Sequence, residues 1–173
     1  MNIESENSGP PSWWEIALIG RRPKRTLIRA IVLVVTCLVV FKFILLPIRV
    51  TGGSMLPTYR DGGVNLVNRF AYLWHEPRRG DVVAIRLAGP SVMFMKRIIG
   101  LPGETVAFVA GHVVINDIVL DEPYVKFPCN WEREPQTLGP DEFFVVGDNR
   151  RMPKQLHEFG AARRQRIVGK VLL

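Results

Sequence analysis

One apolar run near the N-terminus constrains this chain more than any other feature, because it divides the sequence into a membrane-spanning segment and a single domain. The run covers residues 30–46 and reaches the lower limit of about 17 residues for a transmembrane helix. Lys42 is its only charged residue and lies near the outer end, where its side chain can extend to the membrane interface. We therefore predict a transmembrane anchor at residues 27–47, followed by one domain at residues 48–173.

Two other interpretations of the apolar run are a helix buried in a protein core and a cleavable signal peptide. The run is short enough for a core helix, so that alternative stays open. A signal peptide is disfavoured because the run begins late in the chain and residues 47–50 offer no small-x-small cleavage site after it.

The charges on either side of the run predict its orientation. Basic residues cluster before the run, whereas only Lys42 and Arg49 lie near its far end. Because basic residues are retained on the cytoplasmic side, residues 1–26 are predicted to be cytoplasmic and residues 48–173 to lie outside, as in a single-pass protein of the bacterial inner membrane. Residues 12–19, which mix aromatic and aliphatic side chains, are predicted to lie in the headgroup region. The preceding basic residues are Arg21, Arg22, Lys24, Arg25 and Arg29.

The formal net charge of +7 is compatible with two kinds of anionic partner, nucleic acid and membrane lipid. Nucleic acid is not a predicted partner, because aromatic residues do not alternate with the basic clusters at 150–154 and 163–166 and the domain is predicted to lie outside the cytoplasm. Anionic lipid headgroups fit both the charge and the anchor. The three histidines have no second ligand at metal-binding spacing, so neither a metal nor another cofactor is predicted.

After the anchor, short runs of strand-forming residues alternate with turn residues, which predicts a mainly β domain. Ala110 and Gly111 separate two of these runs and are typical of a two-residue hairpin turn. Residues 127–135 lack periodicity and are predicted to form an exposed insertion. The predicted strands are 64–67, 81–87, 92–99, 105–109, 112–115, 118–120, 142–146 and 167–172.

Ser54 and Lys96 are candidates for nucleophilic catalysis in this domain. A serine hydroxyl needs a nearby base to attack a carbonyl at neutral pH, and lysine can act as that base only when its amine is neutral. Lowering an amine pKa from about 10.4 to roughly 7 to 8 requires on the order of 4 kcal/mol, which burial among apolar groups can supply. In a strand, Phe94 and Ile98 would share the face of Lys96. Arg97 would point to the other face, toward solvent or an acidic partner.

Five sequence blocks together resemble the type I signal peptidases, the serine/lysine family that removes signal peptides from exported proteins. Each block alone is a weak signal, but their occurrence in the family's order between residue 48 and the C-terminus is specific. The blocks are Gly53-Ser54-Met55-Leu56-Pro57-Thr58, Arg79-Gly80-Asp81-Val82-Val83, Lys96 to Glu104, Asp121-Glu122-Pro123-Tyr124 and Gly147-Asp148-Asn149-Arg150.

The resemblance implies that Ser54 is the nucleophile and Lys96 the general base. It also implies that the backbone N–H of Ser54 is one donor of the oxyanion hole. Family members carry serine or glycine two residues before the nucleophile, and where it is serine its hydroxyl is the second donor. That position is Gly52 in this sequence, so the second donor stays unassigned.

The resemblance further implies the fold and the substrate. The fold is the family's folded β-sheet barrel, mainly β, preceded by one transmembrane helix and carrying the dyad at one edge near the membrane. The substrates are secretory preproteins with small-x-small cleavage sites, which bind as an extended strand and place two small side chains in neighbouring pockets. Ile48, Val50 and Met95 are implied to lie near these pockets, although ordinary core packing explains each of them as well.

The final block departs from the family pattern. After Gly-Asp-Asn-Arg the family continues with Ser, Asp and Arg at alternating positions, which here are Pro153, Gln155 and His157. His157 is expected to be an ordinary loop or surface residue, although it could contact the active-site loop. The family's Ser hydrogen-bonds the lysine amine, so Lys96 lacks that partner and would need another group, such as Gln155 or water, to orient it. Two hypotheses follow: an active signal peptidase, or a non-catalytic or specialised paralogue that binds signal peptides or a translocation partner.

Two other classes of serine hydrolase are disfavoured. A Gly-x-Ser-x-Gly elbow of the α/β-hydrolases needs glycine where this sequence has Leu56. A soluble repressor-type protease with serine/lysine chemistry would need an N-terminal DNA-binding domain, and the apolar run occupies that place.

Overall fold

The computed structural model describes residues 23–86 and 93–172, so the predicted headgroup segment at 12–19 lies outside it. The chain divides into two compact units between Lys42 and Phe43. Its helical part consists of α1 (Pro23–Val39), which continues as a π-helical segment at Val40–Ile44. The apolar sequence of α1, free of Gly and with Pro only at its first residue, explains why a regular helix forms there.

The segment Lys24–Ile44 is long and apolar enough to cross a membrane. It contains 21 residues, and its mean hydropathy is 2.6. Its most apolar stretch is not buried in the protein, and side chains such as Leu33 and Leu38 are about two-thirds exposed, at 64% and 65%. This exposure disagrees with the alternative of a helix buried in a protein core.

Eleven strands form two antiparallel sheets in the described part of the second unit. The strands are β1 (Leu45–Arg49), β2 (Val64–Asn68), β3 (Val82–Ile85), β4 (Phe94–Gly100), β5 (Thr105–Val109), β6 (His112–Ile115), β7 (Ile118–Val119), β8 (Arg133–Thr137), β9 (Glu142–Val146), β10 (Gly160–Arg163) and β11 (Ile167–Leu172). The larger sheet has the order β1-β2-β11-β3-β4-β9-β10, and the smaller sheet has the order β7-β6-β5-β8. The predicted mainly β domain is therefore confirmed.

Alternation along the strands distributes the apolar side chains among three buried clusters. In β3, Ala84 joins a cluster with Met55 and Met95, whereas its neighbour Val83 joins a different cluster with Ile98. Neighbouring residues of a strand point to opposite faces, so both faces of the larger sheet are covered. The third cluster combines residues of both sheets around Phe108.

The structure corrects three expectations about the strands. Residues 45–47, predicted to belong to the anchor, lie in β1, because the helical segment ends at Ile44 and the following backbone pairs with β2. Residues 127–135 are not simply an exposed insertion, since Trp131 is buried and residues 133–135 begin β8. The strand β10 was not predicted at all.

Candidate active site

A cavity of about 470 Å³ lies between the chain segment that follows β1 and the start of β4. Ser54, Ile48, Val50 and Met95 all line it, so the structure brings four of the five predicted site residues into one cavity. Val50 and Met95 are also buried, which means that they form the cavity wall and part of the core at once.

Ser54 lies on a turn that backbone hydrogen bonds hold in place between β1 and β2. The N–H of Val50 donates to the carbonyl of Gly63 at 2.8 Å. Gly52 has a φ of +98°, a conformation that glycine adopts without strain, and its N–H donates to the Asp61 carboxylate at 2.9 Å. These contacts fix the segment immediately before the half-buried Ser54.

The backbone of Ser54 is attached to the loop formed by residues 147–150. The Asn149 N–H donates to the Ser54 carbonyl at 2.9 Å, and the Asn149 side-chain amide donates to the Gly53 carbonyl at 2.8 Å. A Cβ atom at Gly147 would lie 2.2 Å from the Ser54 carbonyl oxygen, so only glycine permits this close approach.

Arg97 connects the same loop to β4, next to Lys96. Its Nε donates to Oδ1 of Asp148 at 2.8 Å, and its Nη2 donates to Oδ2 at 2.6 Å. The hydroxyl of Thr58 donates to Oδ2 as well, at 2.6 Å. Burial lowers the pKa of Arg97, but the hydrogen bonds and charge of Asp148 outweigh it and the net shift is upward. Of the two surroundings predicted for Arg97, solvent or an acidic partner, the structure shows the acidic partner.

Lys96 is buried in an apolar part of β4 and is only 1% exposed. Its partner on β3 is Val83, and its amine nitrogen lies 6.0 Å from the centroid of the Phe94 ring. Burial lowers the pKa of Lys96 to about 8, whereas the negative charge of Glu158 acts in the opposite direction. The predicted apolar environment of this amine is therefore confirmed.

His157 lies close to both Lys96 and the backbone of Ser54. Its Nε2 accepts a hydrogen bond from the Gly147 N–H at 2.9 Å, and Gly147 in turn contacts the Ser54 carbonyl. Burial, together with the positive charges of Lys96 and Arg150, lowers the pKa of His157 to about 3. The ring is therefore neutral near pH 7 and adds no positive charge beside Lys96.

The contacts of Lys96 in the described residues do not include a hydrogen bond to the Ser54 hydroxyl. The two residues are connected indirectly, through His157 and Gly147 on one side and through the cavity wall on the other. Phe94 and Met95, the two residues before Lys96, line the same cavity as Ser54. Ser54 thus lines a cavity whose wall includes the two residues that precede Lys96 in β4, and a serine hydroxyl with a partly neutral lysine amine nearby along the strand suits nucleophilic attack on a carbonyl.

Residues 24–173 match the family described as signal peptidase, peptidase S26. This chain belongs to that family. The match includes the apolar segment and all eleven strands, so the S26 assignment covers the whole described second unit.

Several signal peptidases are similar to this S26 chain. Signal peptidase I of Leptolyngbya laminosa is 38% identical over 128 residues, which are 69% of this chain and 63% of that protein. The probable signal peptidase I-2 of Synechocystis is 31% identical, over 72% of this chain and 60% of that protein. The chain thus spans less than two thirds of the length of these two relatives. Signal peptidase I V of Bacillus subtilis is 30% identical, over 82% of this chain and 92% of that protein.

A crystal structure of a signal peptidase I from Enterococcus faecalis aligns with 56% of this S26 chain and 97% of that chain. The sequence identity is 26% and the TM-score is 0.45.

The positions that depart from the S26 pattern have different surroundings. Pro153 and Gln155 are exposed at a short 3-10 turn, and the described contacts of Lys96 do not include Gln155. The expectation that His157 is an ordinary surface residue is wrong, because it is 3% exposed. The contact with the loop at 147–150 that the sequence allowed is present, because the Gly147 N–H donates to its Nε2.

Sequence reasoning missed the aromatic support of His157 and part of the cavity wall. Trp131 packs against the imidazole with ring centroids 4.9 Å apart, and Phe159 does so at 5.9 Å. Met93 and Phe94 line the cavity beside Met95. The position of Phe94 on the Lys96 face was a usable signal for the wall, whereas the packing of Trp131 depends on contacts between distant segments.

One edge of β4 is open beside the cavity in the described sheet. β4 pairs with β3 from Phe94 onward, but its pairing with β9 begins only at Arg97. The backbone of residues 94–96 therefore has a side that an extended peptide can pair with, next to the cavity that Met95 lines.

Proposed function

We propose that this S26 protein is a membrane-bound serine endopeptidase, a signal peptidase I that removes signal peptides from exported preproteins. Ser54 is the nucleophile and Lys96 the general base. The observation that carries the proposal is the burial of Lys96, with its pKa near 8, in the strand whose residues Phe94 and Met95 line the same cavity as Ser54. At neutral pH such an amine is neutral in a substantial fraction of molecules, about one tenth at one unit below its pKa.

The reaction proceeds through an ester between the substrate and Ser54. The neutral amine of Lys96 takes the hydroxyl proton as the Ser54 oxygen attacks the scissile carbonyl carbon. The backbone N–H of Ser54 donates to the oxygen that becomes negatively charged. When the C–N bond breaks, the Lys96 ammonium returns the proton to the leaving amine. Water then attacks the ester, with Lys96 again as base, and the Lys96 ammonium returns the proton to the Ser54 oxygen as the acyl C–O bond breaks and the signal peptide leaves.

The substrate binds as an extended strand along the open edge at residues 94–96. Ile48, Val50 and Met95 form an apolar wall, which favours small side chains one and three residues before the scissile bond, because these two positions share a face of an extended chain. The cavity of about 470 Å³ has room for side chains of this kind.

The apolar segment Lys24–Ile44 anchors the protein in the bacterial inner membrane as a single span. The basic residues before the segment support a cytoplasmic N-terminus and an outer location of residues 48–173, where signal peptides emerge. Anionic lipid headgroups are the expected surface partner of this positively charged chain.

Substitution of the two proposed catalytic residues tests the function. We expect Ser54→Ala and Lys96→Met each to abolish cleavage of a precursor with a small-x-small site, with the circular dichroism spectrum unchanged. Lys126→Met, which removes an exposed lysine elsewhere in the unit, serves as the control and retains activity. Full activity in either of the first two variants would contradict the dyad.

A second function, binding of signal peptides without cleavage, is favoured by one observation. Pro153 and Gln155 stand where the family has Ser and Asp, and both are exposed rather than in contact with Lys96. The triple variant Pro153→Ser/Gln155→Asp/His157→Arg restores the family pattern. Cleavage by this variant and not by the natural chain would favour the binding function, whereas cleavage by the natural chain supports the enzyme.

A further inference from the structure

A second cavity, of about 440 Å³, adjoins the turn that carries Ser54. Gly53 lines this cavity, whereas Gly52 and Ser54 line the 470 Å³ cavity described above. The two cavities have no lining residue in common, so consecutive residues of one turn border two separate spaces. The second cavity is completed by Phe127, Asn149, Arg151 and Met152.

We propose that the second cavity binds the first residues of the mature protein, which follow the scissile bond, and that it prefers acidic side chains there. This inference rests on the proposed peptidase function and deepens it. A substrate that places its last signal-peptide residues in the first cavity has its scissile carbonyl at Ser54. Because an extended chain advances about 3.3 Å per residue, the next residues pass the neighbouring part of the turn, which is where the second cavity begins.

The side chains of the second cavity determine what it can bind. Phe127 is 37% exposed and Met152 is half-buried, so together they offer an apolar surface to an aliphatic stem or a backbone. Arg151 is exposed and supplies the only charge in the lining. A short aliphatic stem that ends in a carboxylate matches this combination, and a lysine or arginine does not.

The charge of Arg151 is available to a substrate. Among residues 23–86 and 93–172, no carboxylate forms an ion pair with Arg151. The nearest acidic residue along the chain, Asp148, is fully buried and already pairs with Arg97. A carboxylate on the substrate therefore meets an unneutralised guanidinium.

The rim of the second cavity is also preorganised. The Asn149 amide donates to the Gly53 carbonyl at 2.8 Å, and the Asn149 backbone holds the Ser54 carbonyl. The same two hydrogen bonds that position the turn thus shape the boundary between the cavities. A ligand in the second cavity does not have to order this boundary when it binds.

The experiment compares peptides that differ only after the scissile bond. The full-length protein in detergent is given peptides with one small-x-small site and with Glu, Gln or Lys at each of the first few positions that follow. We expect kcat/KM to be about three- to tenfold higher for Glu than for Lys at one or two positions, and the difference to shrink as salt is added. Arg151→Glu should reverse the order of Glu and Lys.

The matched control is Arg163→Glu, which makes the same charge change at an exposed residue of β10, outside both cavities. It should leave the preference for Glu unchanged. Cleavage with equal rates for Glu and Lys, or an equal response to both charge changes, would overturn the inference while leaving the peptidase function intact. Failure to cleave any of the peptides would contradict the peptidase function and, with it, the inference.

Discussion

At the scale of single residues, the environment of Lys96 decides whether this site can act at neutral pH. Burial favours the neutral amine, and the carboxylate of Glu158 favours the ammonium. The two effects are opposed, and the effect of burial is the larger because the pKa is lowered to about 8. His157 stays neutral and leaves this balance undisturbed.

Removal of the Glu158 charge should make the enzyme active at lower pH. In Glu158→Gln the ammonium of Lys96 loses a stabilising charge, its pKa falls, and the rise of kcat/KM with pH moves to lower values. Glu134→Gln, an exposed substitution in β8, is the control and should leave the curve in place. A midpoint that stays constant, or moves upward, in Glu158→Gln would contradict the role of this carboxylate.

Lys96→Met should be inactive and yet more stable than the natural protein near pH 7. The folded-state pKa of about 8 lies below the unfolded value of 10.5, so the folded protein loses stability as pH falls from 10.5 to about 8. At pH 7 it therefore contains an unfavourable buried ammonium. Replacement by an apolar side chain of similar length removes up to about 3 kcal/mol of that destabilisation. Thermal unfolding at pH 7 and pH 10 measures the stability difference between Lys96→Met and the natural protein. The stabilisation of the variant should be smaller at pH 10. A destabilised variant at pH 7 would contradict this account.

The sequence could single out Ser54 and Lys96 as candidates and predict the burial of the Lys96 amine, because motif spacing and strand alternation are local properties. It could not establish the burial of His157. The imidazole is enclosed by Trp131 and by Phe159, and the former lies in a segment without any regular pattern. Contacts of this kind form only when distant parts of the chain pack together.

At the scale of elements, one buried ion pair joins three segments around the site. Asp148 belongs to the loop after β9, Arg97 to β4, and Thr58 to the segment after Ser54. Since Asp148 is fully buried, its carboxylate depends on these partners for the hydrogen bonds that it would otherwise make to water.

Loss of the Asp148 charge should cost far more stability than loss of a surface ion pair. We expect Asp148→Asn to lower the free energy of unfolding by about 3 kcal/mol, because Arg97 is then left without its counter-charge in a buried place. Thr58→Val should cost about 1 to 2 kcal/mol through one lost hydrogen bond. Glu76→Gln, which removes the exposed partner of Arg164, should change the free energy of unfolding by less than about 1 kcal/mol. Urea unfolding measures these free energies. Equal effects of Asp148→Asn and Glu76→Gln would refute the larger contribution of the buried ion pair.

The three strands that the sequence did not predict are all at sheet edges, and this explains why they were missed. β1 and β10 are the two ends of the larger sheet, and β8 is one end of the smaller sheet. β1 and β8 each contain a proline, which an edge strand tolerates because one side of its backbone needs no partner. The inner strands carry the apolar, β-branched pattern that the sequence reveals.

At the scale of the whole molecule, the boundary between helix and sheet determines what can be removed. The second unit begins at Phe43, and β1 follows within two residues. β1 pairs along its whole length with β2, and Pro47 and Ile48 form part of the cavity wall.

Two truncations should therefore behave differently. A protein that begins at Phe43 keeps every strand and should fold and cleave a soluble peptide. A protein that begins at Val50 lacks β1 and should lose cleavage, because part of the substrate wall is missing and β2 is left unpaired on one side. Circular dichroism and peptide cleavage measure the two outcomes. Equal activity of the two truncated proteins would show that β1 is dispensable.

The apolar segment continues directly into β1, and this limits the distance between the end of the span and the first residue of the cavity wall. Pro47 lies three residues after Ile44, so this residue of the cavity wall cannot be more than about 11 Å from the last residue of the span. Under the proposed function, this short connection limits the distance from the membrane at which a substrate can be cleaved. A precursor still held in the bilayer presents its cleavage site within this distance of the membrane. An Ala-x-Ala sequence in a released protein reaches the site only by diffusion.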